Sequence, residues 1–395
     1  MSQQDEGEEK QDVEQIEVVE PDEPDVPQDE YYAPEQLQIE KLHNEIKEGL
    51  KRIGKTANLS GYSFVELICE NKKIDKLFNV MQTYVHLRKI SFANNLLNDV
   101  NTLQSIRYLT NLNLAFNQIT NLDCFNVPNT FEFLDELNLD NNKITNFGQI
   151  NLPRLKKLSL KNNLIKSAQG FMGHNTLEIL ELRNNKLETF EGFQKLLKLK
   201  QIWAAQNQII SIGHLTELPE LHTLHLRANK IVVLTDIPNL QKLHHLNLRG
   251  NLIEKLDEFN NLKQLDNLRS ITMHENPIAT EMGDGIRKEI IMILQQIERV
   301  NKEPVPPEEK ADALGELKER IAAAIQKKKE EEEEAARIAE EARLAEEARL
   351  AEEAAKAAEL AAEQAAAEQE AAEKAAAEGK ANQPKVNQEE EEEEA

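Results

Sequence analysis

Residues 49–56, Gly-Leu-Lys-Arg-Ile-Gly-Lys-Thr, satisfy the phosphate-loop pattern G-x-x-x-x-G-K-T letter for letter. Such a loop cradles nucleotide phosphates only where a buried strand precedes the first glycine and a helix opens at the lysine. Here the preceding stretch EKLHNEIKEGL is helical in period, and Leu42, Ile46, Leu50 and Ile53 continue one apolar stripe. The pattern predicts an amphipathic helix over 37–56 ending in a turn, with no nucleotide site. Histidines are the next candidates: His222, His225, His244, His245 and His274 cluster late in the chain. Zinc needs three or four ligands converging near 2 Å, and the offsets between these residues oppose convergence. They read as surface histidines. No Ser/His/Asp or Cys/His spacing supports nucleophilic catalysis, and Cys69 falls at an inward apolar place. The expectation is a protein with no catalytic residue, no metal and no cofactor.

What positions these residues is a repeat. A block L-x-x-L-x-L-x-x-N-x-L starts at Leu87, Ile90, Phe92, Asn95 and Leu97 and recurs eight more times. Its asparagines stand at 95, 117, 142, 163, 185, 207, 229, 251 and 276, so the steps are 22, 25, 21, 22, 22, 22, 22 and 25. Nine matches in phase define a leucine-rich repeat solenoid: an α/β fold with a curved parallel sheet, about nine full repeats and caps. The alternating apolar pair of each block points inward from a short strand. The asparagine turns the chain, and its amide can satisfy buried backbone groups. Since no repeat buries its apolar face alone, the ends need caps. Leu67, Cys69 and Ile74 keep the phase before the first block, with Lys72 where Asn would stand; after the last, Pro277 opens a segment whose Ile286, Ile290, Ile293, Leu294 and Ile297 cover the open edge.

Charge divides the chain. Of 395 residues, 71 are acidic and 47 are Lys or Arg, a formal charge of −24, yet residues 1–36 carry −13 and 304–395 carry −15, leaving +4 for the middle. The organisation that follows is an acidic disordered tail over 1–36, the helix over 37–56, the repeat domain with its caps over 57–303, a proline linker over 304–307, a helix over 308–378 and a second acidic tail over 379–395. The acidic ends disfavour sequence-blind nucleic-acid binding. No run of 18 apolar residues suggests a membrane span, and the first residues lack the basic-then-apolar pattern of a secretory signal. Two cysteines, Cys69 and Cys124, cannot staple a scaffold and suggest a reducing compartment.

The 308–378 segment is rich in Ala, Glu, Lys and Arg, all strong helix formers. Its Ile338, Leu344 and Leu350 recur every six residues. That advances each by about 240° around a helix, so no a/d seam forms and no homo-oligomer through this helix is expected. Glu333→Arg337 and Glu352→Lys356 at i,i+4, with Glu340→Arg343 and Glu346→Arg349 at i,i+3, suit a solitary charge-laced helix.

The exposed columns of the sheet carry the functional reading. After each second inward residue the sequence runs Ala93, Ala115, Asp140, Lys161, Arg183, Ala205, Arg227, Arg249, His274, with Lys156 and Lys157 beside Lys161. Stacked about 4.8 Å apart, these form nearly a one-sign ladder from the fourth repeat onward. Trp203, the only tryptophan, sits in the middle column between Glu181 and His225. An exposed aromatic flanked by arginine has the composition of a binding hot spot. The ladder reads either as solvated charge paired with Glu178, Glu181 or similar, or as a cationic groove for an acidic protein segment. The residues expected to bind are Lys157, Lys161, Arg183, Trp203, His225, Arg227, Arg249 and His274.

The 22-residue spacing is typical of the intracellular leucine-rich repeat subfamily, with its phosphatase-regulating and ciliary members. The segments KEGLKRIGKT, YVHLRKISFANNLL, LEILELRNNKLE, LHTLHLRANKI, LHHLNLRGNLIEKL and LRSITMHENP resemble the radial-spoke leucine-rich repeat proteins of motile cilia. The likeness covers about residues 40–303; the Ala/Glu arm departs from it. The resemblance implies a structural component of the third radial spoke near its head, in the axoneme, whose partners are other radial-spoke proteins. The alternatives are a regulatory subunit of a protein phosphatase and a tubulin- or dynein-linked adaptor.

Overall fold

The computed structural model describes residues 28–56 and 59–380; of the acidic tails expected at the ends, 1–27 and 381–395 lie outside the described residues, whereas 28–36, expected in the first tail, open α1. The elements run α1 (Gln28–Gly49), β1 (Leu50–Lys55), β2 (Tyr62–Ile68), β3 (Lys89–Ser91), β4 (Asn111–Asn113), β5 (Glu136–Asn138), β6 (Lys157–Ser159), β7 (Ile179–Glu181), β8 (Gln201–Trp203), β9 (Thr223–His225), β10 (His245–Asn247), β11 (Ser270–Thr272), α2 (Pro277–Met282), α3 (Gly285–Ile293), β12 (Arg299–Val300), β13 (Glu303–Pro304) and α4 (Pro307–Lys380). The strands form one 13-stranded sheet in sequence order. From β2 to β12 every pairing is parallel; only the two terminal pairs, β1–β2 and β12–β13, are antiparallel. This is a leucine-rich repeat solenoid, and β3 to β11 are its nine repeat strands.

Each repeat strand has one inward residue at its centre, from Ile90 and Leu112 to Leu246 and Ile271, and the next inward residue follows two places on. Both are buried in every repeat. The ladder asparagines are buried too, and their amides tie the turns together. In Asn207, for example, Oδ1 accepts the Leu187 N–H at 3.1 Å, while Nδ2 donates to the Leu182 carbonyl at 2.9 Å and the Ala204 carbonyl at 3.1 Å. Each of those carbonyls is shared: Leu182 O also receives Asn185 Nδ2 at 3.1 Å, and Ala204 O receives Asn229 Nδ2 at 3.0 Å. A buried peptide oxygen thus has its two lone pairs filled by its own repeat and by the next, as close-packed polar groups require. The chain reversal is made by the residue before each ladder asparagine, which holds a left-handed conformation in all nine repeats, Phe116, Gln206, Ala228 and Glu275 among them.

The N-terminal cap corrects the sequence reading of 37–56. Leu42 and Ile46 are buried, as the helical stripe requires, but α1 stops at Gly49 and residues 50–55 are a strand. Leu50 stands opposite Leu67 and Ile53 opposite Phe64, and Ile53 is exposed rather than part of the stripe. Gly49 is needed at the junction, because a Cβ there would lie 2.5 Å from the Ile68 carbonyl oxygen. The phosphate-loop letters therefore lie on a helix end and an antiparallel hairpin, without the helix opening at Lys55 that a phosphate cradle requires.

At the other end, Ile286, Ile290, Leu294 and Ile297 are buried, while Ile293 is only half-buried. The expected proline linker over 304–307 is more ordered than its composition suggests. Glu303–Pro304 pairs with β12, and α4 begins at Pro307. Arg287 fastens the junction: it donates to Glu309 at 2.6 and 2.9 Å, to the Pro304 carbonyl at 2.7 Å and to the Val300 carbonyl at 3.2 Å.

Two compact units divide at residues 313 and 314. The second is the body of α4, in which Ile338, Leu344 and Leu350 are exposed. Its pairs Glu340–Arg343, Glu346–Arg349 and Glu352–Lys356 close at 2.7–2.8 Å. Arg337 differs from expectation: it takes Glu334 at 2.8 Å, and Glu333 faces Lys329 at 3.8 Å.

Candidate functional site

The open face of the sheet brings the expected residues together on β6 to β11. The register sets Glu181 beside Trp203 and Trp203 beside His225 in one row. Trp203 is half-buried although its neighbours Ile202 and Ala204 take the inward places. Its ring stacks on His225 with centroids 4.4 Å apart and planes 23° from parallel, and its indole Nε1 donates to Gln201 Oε1 at 3.2 Å. The tryptophan is therefore held in a fixed place. His225 is pushed down to about 4, chiefly by burial and then by Arg183, Lys302 and Arg227. It is neutral at pH 7, and the stack is one of two uncharged rings.

The one-sign ladder proves to be two kinds of residue. Lys161 lies 2.5 Å from Glu181 and 3.3 Å from Asp140, and Lys157 lies 3.4 Å from Glu181. Asp140 is itself buried, accepting from Ser159 Oγ at 2.6 Å and the Lys161 amide at 2.8 Å. Burial works to raise the Glu181 carboxyl, but Lys161 and then Lys157 outweigh it, and it lies below its usual value. Arg249 is paired with Glu275. Lys156 pairs with Asp135 at 3.2 Å, and Lys200 takes Glu178 at 2.8 Å. Among the described residues, Arg183 and Arg227 are the members of the column that are exposed and have no ion pair. They stand one strand either side of Ala205, about 10 Å apart at the ~4.8 Å strand spacing. The residue between them in the column, Ala205, is buried and small and carries no charge.

His274 lies at the end of the row, where its ring nitrogen Nδ1 is 3.2 Å from Asn301 Oδ1. His222 and His244 stack on each other with centroids 5.5 Å apart, and no group of three or more metal-capable side chains occurs among the described residues. The buried histidine is another one, His174: Nδ1 accepts the Leu177 amide at 3.2 Å and Nε2 contacts the Leu152 carbonyl at 3.0 Å. Cys69 and Cys124 are buried thiols pushed up to about 11 and about 12, mainly by burial. Sequence reasoning missed two features of this face. Gln201, which steadies the indole, lies two places before Trp203 on the same strand and was legible by period two. A concavity of about 250 Å³ over β3 to β6 sets the expected Lys157 and Lys161 beside Asn113, Glu136, Asn138 and Ser159, and the latter four lie outside the charge ladder that drew attention to this face. No helix among the described residues is long and apolar enough to cross a membrane.

No protein-family model matches the sequence, and no curated protein matches it. Among solved structures the chain is similar to an internalin, InlF of Listeria monocytogenes, with 18% identity, 62% of this chain and 84% of that chain covered and a TM-score of 0.34. It is also similar to the functional domain of InlJ from Listeria monocytogenes (20% identity, 60% and 48% covered, TM-score 0.40) and to YopM of Yersinia pestis (21% identity, 55% and 55% covered, TM-score 0.40). The class of the protein, a leucine-rich repeat solenoid with a long charged helix, rests on its own strand register and asparagine ladder.

Proposed function

We propose that this chain is a non-enzymatic docking scaffold whose open sheet face receives an acidic stretch of another protein. One observation carries the reading: Arg183 and Arg227 flank a pre-stacked Trp203–His225 pair and form no close ion pair among the described residues, although Arg227 is near enough to Glu275 to help lower its carboxyl. Two exposed guanidiniums without a close ion pair, beside an aromatic ring, suit a carboxylate-bearing peptide with an aromatic or apolar side chain between its acids. Lys161, Lys157 and Arg249, already paired, shape the walls of the groove more than its charge.

The finer reading is a structural component of the ciliary axoneme, in the third radial spoke near its head, supported by the resemblance of residues 40–303 to leucine-rich repeat-containing protein 23. The partners would be other radial-spoke proteins, and a rigid array with a long helical arm suits such a place. The 22-residue spacing also favours a second reading, a regulatory subunit laid on a protein phosphatase. Detergent extraction of cilia separates the two: a spoke component stays with the axoneme until high salt, whereas a regulator leaves with detergent and co-purifies with phosphatase. A tubulin- or dynein-linked adaptor would also stay, and crosslinking of intact axonemes distinguishes it by its neighbours. For the groove, the test is Arg183→Glu with Arg227→Glu. Each lost charge-assisted contact is worth ~1.5 kcal/mol or more, so affinity for an acidic partner should fall about a hundredfold. Undiminished incorporation into axonemes would remove this face from the function.

A further inference from the structure

The hairpin β1–β2 leaves one surface that the groove does not use. β1 stands first in the sheet and pairs with β2 alone, so its outer edge meets no strand among the described residues. An unpaired edge presents peptide N–H and C=O groups to another strand, although here the Lys55 carbonyl already accepts Arg88 Nη2 at 2.9 Å. The side chains beside it are unusual for a solvated face. Ile53 and Tyr62 are 68% and 72% exposed, and Phe64 and Ile68 are exposed with them. The register sets Ile53 opposite Phe64 and Lys55 opposite Tyr62, and period two places Phe64, Glu66 and Ile68 on one face. The result is an apolar patch running inward from the edge, on the face continuous with Ser91 of β3.

Charge decides what fits the edge. The β1 residues opposite Glu66, Phe64 and Tyr62 are Lys51, Ile53 and Lys55, a cation on each side of an apolar residue, with the exposed Arg52 between the first two at φ +46. Neither lysine has an ion pair among the described residues; Lys51 Nζ donates to the Glu48 carbonyl at 3.2 Å, and Glu66 is 3.9 Å from Arg52 instead. A second copy pairing antiparallel about Ile53 would set Lys51 against Lys55 twice, and like charges directly opposite are destabilising. A strand carrying acids at those two places reverses the sign of both contacts.

We infer that the β1 edge docks an extended segment of another protein with the pattern acid–x–apolar–x–acid, adding a strand whose apolar residue packs on Ile53 and Phe64 and whose acids meet Lys51 and Lys55. This is strand addition, in which backbone hydrogen bonds give affinity and alternate side chains give specificity. It is independent of the Arg183–Arg227 groove.

The probe is the fluorescein-labelled peptide SETITESG, titrated against the full chain and read by anisotropy. Saturable binding is expected. Ile53→Glu removes an apolar contact worth ~1.5 kcal/mol or more, so it should weaken binding at least about tenfold. Lys51→Glu with Lys55→Glu should do the same by a different route, and unfolding midpoints should stay unchanged because all three side chains are exposed. Of two peptides N-methylated on odd or on even residues, one should lose binding, since only one set faces the edge. Arg227→Glu should have no effect. The inference is overturned if binding does not saturate by about 1 mM, the weak end of specific recognition. It is equally overturned if both methylated peptides bind as well as the parent, or if Arg227→Glu abolishes binding. Ile53-dependent self-association in sedimentation would overturn it in favour of a second copy.

Discussion

Replacing Asn207 by alanine tests the element on which the stacked turns depend. The side chain is buried; it accepts from the Leu187 N–H and donates to the carbonyls of Leu182 and Ala204, with a longer contact to the Ala205 carbonyl at 3.3 Å. The losses are unequal. Leu182 O and Ala204 O keep the amides of Asn185 and Asn229, so each loses one of two donors. The Leu187 N–H has no second acceptor. An orphaned buried amide costs ~1–3 kcal/mol and each forfeited hydrogen bond ~1 kcal/mol, for a total of about 3–5 kcal/mol. Urea unfolding followed by Trp203 fluorescence reads this directly, because Trp203 is the only tryptophan and lies on the strand leading into Asn207. Asn184→Ala is the control. That residue is exposed, holds φ +55 and bonds only Asn162 Oδ1 at 2.9 Å, so alanine there should cost ~1–2 kcal/mol and glycine almost nothing. Asn207→Asp should be as harmful as alanine at pH 7, since a carboxylate would face two carbonyls. Its deficit should shrink as pH falls from neutral toward about 4, because burial and the two carbonyls raise the folded-state pKa of that carboxyl above its unfolded value and the protonated oxygen can donate. An Asn207→Ala cost below about 1 kcal/mol, or no greater than that of Asn184→Ala, would refute the shared-carbonyl account.

Three further outcomes follow from the structure. Lys161→Met should destabilise by ~1 kcal/mol at pH 7 and by less at pH 3 in thermal scans, because the depressed Glu181 carboxylate contributes stability above its unfolded value that is lost as pH falls through the folded one. Cys69 and Cys124, raised to about 11 and about 12, should resist iodoacetamide at pH 8 in the native protein and react once urea unfolds it, as mass spectrometry would show. Arg287→Ala removes the contacts to Glu309, Val300 and Pro304, and should cost ~2 kcal/mol and open residues 299–310 to limited proteolysis.

The periodic parts of the fold were legible because one residue type had one mechanical task. Inward leucines and ladder asparagines can be read from spacing alone, and the structure buries them accordingly. The hairpin was not legible. Leu42, Ile46, Leu50 and Ile53 satisfy a helical period, and only pairing with β2 takes the last two out of it. β12 and β13 are two residues long, too short for any pattern to emerge. On the open face, the order of residues in the column was visible, as was the placement of Trp203 between Glu181 and His225. Its charge state was not, because Lys161 is neutralised by acids reached across neighbouring strands while Arg183 and Arg227 are not. Sequence spacing gives a row its members; which carboxylate each cation chooses depends on side-chain reach between rows.

The repeat lengths of 21, 22 and 25 residues leave the strand register undisturbed. In the long final step the surplus lies between Asn251 and β11, where a 3₁₀ helix of nine residues, Leu256–Gln264, takes it up. Growth and shrinkage are thus absorbed behind the array while the rungs in front keep their pitch. An engineer could splice a tag or a reporter into that rear segment and expect the open-face rungs to stay in step, as on a ruler whose backing has been thickened.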